Sequence, residues 1–129
     1  MGISNLQEVA DEALTQTGSV SAAIFVIGPS GRLDLAAAAG VTGAPLDALI
    51  TAVQAPGHPI ARTAQDGKSA FDVSPIAPGG PALRSHIAIG RGAAQDRTLG
   101  VLALAHQEPL SEAERTSAEE LAAKAAALL

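Results

Sequence analysis

Residues 55–73 read APGHPIARTAQDGKSAFDV, and their polar groups have two possible meanings: an active site, or the passage from a helix to a strand. Pro59 stands where a short helix places its first residue, because its missing N–H is one the first turn leaves unpaired anyway. The helix then runs to about Gln65, and Gly67 supplies the positive φ that closes it. Ile60, Thr63 and Ala64 recur at three- and four-residue spacing and share one side; Arg62 lies nearly opposite Ile60. The segment SAFDV after the glycine is apolar and short, as a strand is. In a regular strand Phe71 and Asp72 point to opposite sides, leaving Asp72 to cap a turn or pair with Arg84. No pair among His58, Arg62, Asp66, Lys68 and Asp72 has the spacing of a catalytic set, so this stretch is read as helix, stop and strand.

Upstream, Ser4 and Gln7 have capping-box spacing. Leu6, Val9, Ala10, Ala13 and Leu14 then form one apolar stripe up to Gly18, which predicts a helix over 4–17. SVSAAIFVIG (19–28) is β-branched and apolar on both parities, the mark of a strand covered on both faces. PSGR is a turn, and the chain returns as LDLAAAAG from Leu33. Those alanines suit a helix by propensity, but the turn before them favours a strand and a hairpin. A second helix, PLDALITAVQ, opens at Pro45 with Leu46, Leu49, Ile50 and Val53 on one face.

Downstream, SPIAPGGP (74–81) is a loop rich in proline and glycine. LRSHIAIG from Leu83 and TLGVLALAH from Thr98 are two further strands, joined by the polar RGAAQDR. Ser111 and Glu114 make a second capping box for a last helix whose apolar side carries Ala118, Leu121, Ala122, Ala125, Leu128 and Leu129.

The 129 residues are one domain's worth, and 47% are apolar, many of them alanines that bury little area. Net charge is −5 but uneven: residues 58–97 carry +2 between acidic flanks of −4 and −3. Acidic flanks, with no Trp or Tyr, argue against nucleic acid as a partner. No apolar run reaches membrane-span length, and the start of the chain lacks the basic, then hydrophobic, pattern of a secretion signal; a cytoplasmic setting is expected. The absence of cysteine excludes disulfides, thiolate nucleophiles and zinc–thiolate sites.

The elements run helix, two strands, two helices, one strand or more, two strands, helix. Nothing helical separates the first two strands or the last two, which excludes purely parallel winding. The expected class is α+β, a central antiparallel sheet of about five to six strands with helices on both faces, formed by a single domain over residues 1–129. This order, with the segments AAIFVIGPSGRLDLAAAAG, HPIARTAQDGKSAFDV, RSHIAIG, TLGVLALAH and EPLSEAERTSAEELAAKAAALL, resembles the GAF domain, a sensory fold related to PAS. The resemblance covers essentially the whole chain. It implies terminal helices on one face of the sheet and, on the other, a ligand cavity roofed by the middle helices and loops. It also implies a homodimer formed through the terminal helices, although the stripes at 6–14 and 118–129 serve the chain's own sheet equally well.

Known GAF chemistries can be checked by residue. Bilin attachment and free methionine-R-sulfoxide reduction both need cysteines, which are absent. Cyclic-nucleotide binders usually carry an N-K-F-D-E set, whereas this chain has only AFDV. Serines 69, 74, 85 and 117 sit in no nucleophile-elbow pattern, and PGGP lacks the Gly-Lys-Ser/Thr of a phosphate loop. The three histidines, 58, 86 and 106, have no local metal-ligand spacing, so neither a metal nor another cofactor is expected. His58 reads as a polar residue at a helix start and His106 as an exposed strand end.

His86 differs. Along its strand Arg84, His86 and Ala88 point one way and Ser85, Ile87 and Ile89 the other. If the isoleucines face a core, Arg84 and His86 stand together as donors for a carboxylate or phosphate. The sequence therefore predicts a non-catalytic sensory domain for a small anionic or polar molecule, held by Arg84 and His86 with Arg62 and Ser74. A ligand-free dimerisation scaffold is the alternative.

Overall fold

The structure, a computed structural model, describes residues 5–28, 30–41, 43–55, 57–73, 83–90 and 98–128. Ser74, the 74–81 loop, the 91–97 connection and Ser4 lie outside them.

Among the described residues the elements are α1 (Leu6–Thr17), β1 (Ser21–Ile27), β2 (Leu33–Ala39), α2 (Gly43–Ala52), α3 (Pro59–Asp66), β3 (Ala70–Val73), β4 (Leu83–Ile89), β5 (Gly100–His106) and α4 (Glu112–Leu128). The strands form one antiparallel sheet in the order β2-β1-β5-β4-β3. The α+β expectation holds, with five described strands. β1 and β2 are the expected hairpin, so sheet pairing overrides the helical preference of four consecutive alanines.

Helix ends follow local chemistry. Asn5, not Ser4, caps α1: its Oδ1 accepts from the Glu8 N–H at 2.9 Å. Ser4, the other half of the predicted box, lies outside the described residues; Gln7 donates to the Ala38 carbonyl of β2 at 2.8 Å, tying helix to sheet. At α4 the predicted box is complete: Glu114 N–H donates to Ser111 Oγ, and Ser111 N–H to Glu114 Oε1. α2 starts at Gly43, two residues before the proline expected to open it.

The sheet is buried on both faces because its central strands are apolar on both parities. Ile24, Leu102, Leu104, Ile87 and Ile89 meet Val9, Ala10 and Ala13 of α1 and Ala118, Leu121 and Ala125 of α4. Ala23, Phe25, Val101 and Ala103 meet Val53, Ile60 and Ala61 on the opposite face. Each fully buried Ile, Leu or Phe contributes about 1.5–3 kcal/mol relative to exposure. Val9, Ala10 and Ala13 of α1 and Ala118, Leu121, Ala122 and Ala125 of α4 thus pack in this chain's own core, whereas Leu128 is exposed and Leu129 lies outside the described residues.

β3 departs from the regular strand expected. Ala70 opposes His86 and Val73 opposes Arg84, so three steps on β3 match two on β4. This bulge places Asp72 at φ 57. It also cancels the alternation that separated Phe71 from Asp72. Both side chains reach Arg115 of α4, Phe71 with its ring 5.0 Å from the guanidinium and Asp72 by a 2.6 Å hydrogen bond. Asp72 therefore pairs with Arg115 and not with Arg84.

Candidate functional site

Period-two geometry on β4 divides its residues between two environments. Ile87 and Ile89 enter the core shared with α1 and α4. Arg84 and His86 face the other way, into a cavity of about 290 Å³ between β4–β5 and the α2–α3 layer. Its walls include Val41, Pro45, Leu49, Ile60, Ala103 and Ala105. The sequence-predicted pair is therefore adjacent and on the cavity side.

His86 is only 2% exposed, and neither ring nitrogen has a hydrogen-bond partner among the described residues; the same is true of Arg84 Nε. Buried polar atoms are nearly always paired, because each unpaired one forfeits about 1–3 kcal/mol of solvation. Three such atoms on two neighbouring side chains of one cavity wall form a concentrated hydrogen-bonding site.

A third titratable side chain stands near them. His58 is the N-cap of α3: its Nδ1 accepts from Ile60 N–H at 3.1 Å, which leaves the proton of the neutral ring on Nε2. The helix-start role read for it is correct, but its position also brings it into the field of the cavity. Burial and then the Arg84 guanidinium hold its pKa below the usual histidine value. Burial, followed by His58 and Arg84, pushes His86 down to about 4, so at neutral pH it is an uncharged donor and acceptor. Among the described residues the site then has one permanent charge, on Arg84.

Arg62 is exposed on α3 and does not line the cavity. Ser74 lies outside the described residues, so of the four predicted ligand contacts only Arg84 and His86 are brought together. A larger groove of about 790 Å³ runs between Lys68–Ser69 and the alanine-rich end of α4. It has no unpartnered buried side-chain atom among the described residues.

On the opposite face the structure holds a network the sequence reading missed. His106 is no exposed strand end; it is 1% exposed. Its Nδ1 lies 2.7 Å from the Glu108 carbonyl and its Nε2 2.8 Å from Ser85 Oγ. The carbonyl can only accept, so Nδ1 carries the proton and Ser85 donates to Nε2. Ser85 Oγ accepts from Asp72 N–H, and Asp72 accepts from Leu110 N–H and Arg115. The signal was parity: His106 follows Leu102 and Leu104 at two-residue steps, on the buried face. Although the pair resembles a nucleophile and its base, Ser85 is fully buried, and its hydroxyl serves to bind β3, β4 and β5 together.

No protein-family model matches the sequence, and no curated protein sequence matches it significantly. Solved structures do match. The GAF-B domain of DevS from Mycobacterium smegmatis superimposes with a TM-score of 0.69 over 95% of this chain and 88% of that one, at 21% identity. The GAF domain region of a putative membrane protein from Geobacter sulfurreducens gives 0.73 over 95% and 89%, at 16% identity. The fold is that of a GAF domain. A type II free methionine-R-sulfoxide reductase from Thermoplasma acidophilum also shares this GAF fold, with a TM-score of 0.73 over 95% of this chain and 88% of that chain, at 12% identity. Among the described residues no group of three or more His, Asp or Glu is placed to hold a metal ion, and no helix is long and apolar enough to cross a membrane.

Proposed function

We propose that this GAF-fold chain is a non-catalytic sensory or regulatory domain that binds a small anionic or polar molecule beside Arg84 and His86. The observation that carries the reading is the set of buried, unpartnered nitrogen atoms of these two side chains at one cavity wall. Similarity to GAF domains, and to a domain of a putative two-component sensor histidine kinase protein from Sinorhizobium meliloti, supports the regulatory role. The cysteine-dependent chemistry associated with free methionine-R-sulfoxide reductases has no counterpart in a chain without cysteine. Arg84 and His86 are the ligand contacts of this reading; Arg62 is exposed on α3 outside the cavity lining, and Ser74 lies outside the described residues.

A route for the signal follows from β4. His86 faces the cavity, while its neighbour Ser85 joins the network that ends at Arg115 on α4. A ligand that shifts β4 therefore acts on the terminal helix through the Asp72–Arg115 contact. A cytoplasmic setting and pairing with a second copy belong to the same reading, and sedimentation with and without ligand tests the pairing.

A thermal-shift screen of organic acids, amino acids, phosphates and nucleotides tests the binding itself. A ligand at 100 times its Kd adds about 2.7 kcal/mol of stability. A shift that Arg84→Gln removes supports the reading; no shift across the screen overturns it.

A further inference from the structure

We infer that the cavity takes a short aliphatic monocarboxylate, with the carboxylate on Arg84 and His86 and the hydrocarbon chain against Leu49, Ile60 and Ala103. This rests on the ligand-binding reading above and narrows its chemistry. The lining contains no carboxylate among the described residues, so the polar end of the cavity repels cations and attracts anions. Among the described residues its only permanent charge is Arg84, and the groups that face His86 are Arg84 on its own strand and His58 from α3. β5 presents Ala103 and Ala105, and α2 presents Leu49, none of them ionisable. One guanidinium balances one negative charge; a phosphate dianion would bury a second without a counter-charge.

The rest of the lining selects against nucleotides and aromatic acids. The two phenylalanines of the chain both lie elsewhere: Phe25 is fully buried in the core, and Phe71 stacks on Arg115 on the far side of the sheet. With no Trp or Tyr in the sequence, the lining offers no phenyl, phenol or indole face on which a base would stack, only the small imidazole of His86. At about 290 Å³ it stands at the lower end of the roughly 300–1,000 Å³ range of ligand pockets. An aliphatic tail of a few carbons gains from contact with Leu49 and Ile60 at about 0.8 kcal/mol per buried methylene, roughly a fourfold tightening for each.

The test uses the whole chain with ¹⁵N-labelled histidine, titrated with acetate, butanoate, 3-methylbutanoate and hexanoate. Controls are 3-methylbutanamide, inorganic phosphate and AMP. The inference expects the acids to move the His86 ring resonances and to tighten several-fold with each added methylene until the cavity is full. The isosteric amide should bind at least tenfold more weakly than its acid. Arg84→Gln, checked for folding by circular dichroism, should cost at least tenfold with the acids. The wild-type series is decisive even if that variant does not fold. Equal binding of amide and acid, or absence of any response to the acids, overturns the inference. If phosphate or AMP moves His86 while the acids do not, only the carboxylate assignment fails. If the broad screen is silent as well, the ligand-binding reading falls with it.

Discussion

Asp72 is held at a left-handed φ of 57 by the β3 bulge, and its carboxylate accepts from Leu110 N–H at 3.0 Å and Arg115 at 2.6 Å. Replacing it by alanine strands the N–H of Leu110, a buried residue, at about 1–3 kcal/mol. It also puts a Cβ without local hydrogen bonding into the left-handed region, for roughly 1–2 kcal/mol more. The Arg115 side chain is 44% exposed, so the ion pair itself adds at most about 1 kcal/mol. Asp72→Ala is expected to lose about 2–6 kcal/mol of stability. Asp72→Asn keeps an acceptor and tolerates the φ value, so it should lose only about 0.5–1 kcal/mol. Urea unfolding followed by far-ultraviolet circular dichroism measures both, since a chain without Trp or Tyr has little intrinsic fluorescence.

The same carboxylate gives a pH test. Burial favours its protonated form, but Leu110 N–H, Arg115 and His106 outweigh that and hold its pKa below the usual aspartate value. The unfolded chain therefore takes up the proton first as acid is added. The contribution of Asp72 is complete above about pH 4 and is lost as pH falls through the folded value. Asp72→Asn should flatten that part of the acid limb. If alanine and asparagine cost the same, or alanine costs under about 0.5 kcal/mol, the account of the bulge is wrong.

His86→Leu removes buried nitrogens without partners and should raise ligand-free stability by about 1–2 kcal/mol while abolishing ligand binding; a loss in urea unfolding would contradict the unpaired state of the ring. Because folding lowers the pKa of His86 to about 4, its unfolded form binds the proton first below about pH 6.5, and stability falls from there to pH 4. The leucine variant should reduce that slope, seen as thermal midpoints across the range. Gly100→Ala drives a Cβ into the Phe25 carbonyl of the neighbouring strand, and the backbone there cannot yield. A loss above about 3 kcal/mol or no folded protein by circular dichroism is expected. Ser111→Ala removes one half of the α4 capping box and should cost about 1 kcal/mol in urea unfolding.

Strong local signals made most of the fold legible in sequence. Apolar residues on both parities of SAAIFVI and VLALA require a sheet covered on two faces, and the PSGR turn makes its first pair a hairpin. Alternation along LRSHIAI likewise separates Arg84 and His86 from the isoleucines, because a strand side chain has only two directions available. What failed depended on partners distant in sequence. The bulge at Asp72 arises from the register of β3 against β4, which turns that carboxylate to Arg115, 43 residues onward. The burial of His106 required the neighbouring strand to supply Ser85 as a partner. Arg62 was ambiguous because helical periodicity gives its angle around α3, not what lies beyond that face. Periodicity alone thus determined the layers and the direction of the cavity-facing pair. Only the tertiary structure decided which polar groups are paired and which stand buried without partners, since hydrogen-bond satisfaction depends on contacts between elements that no local pattern encodes.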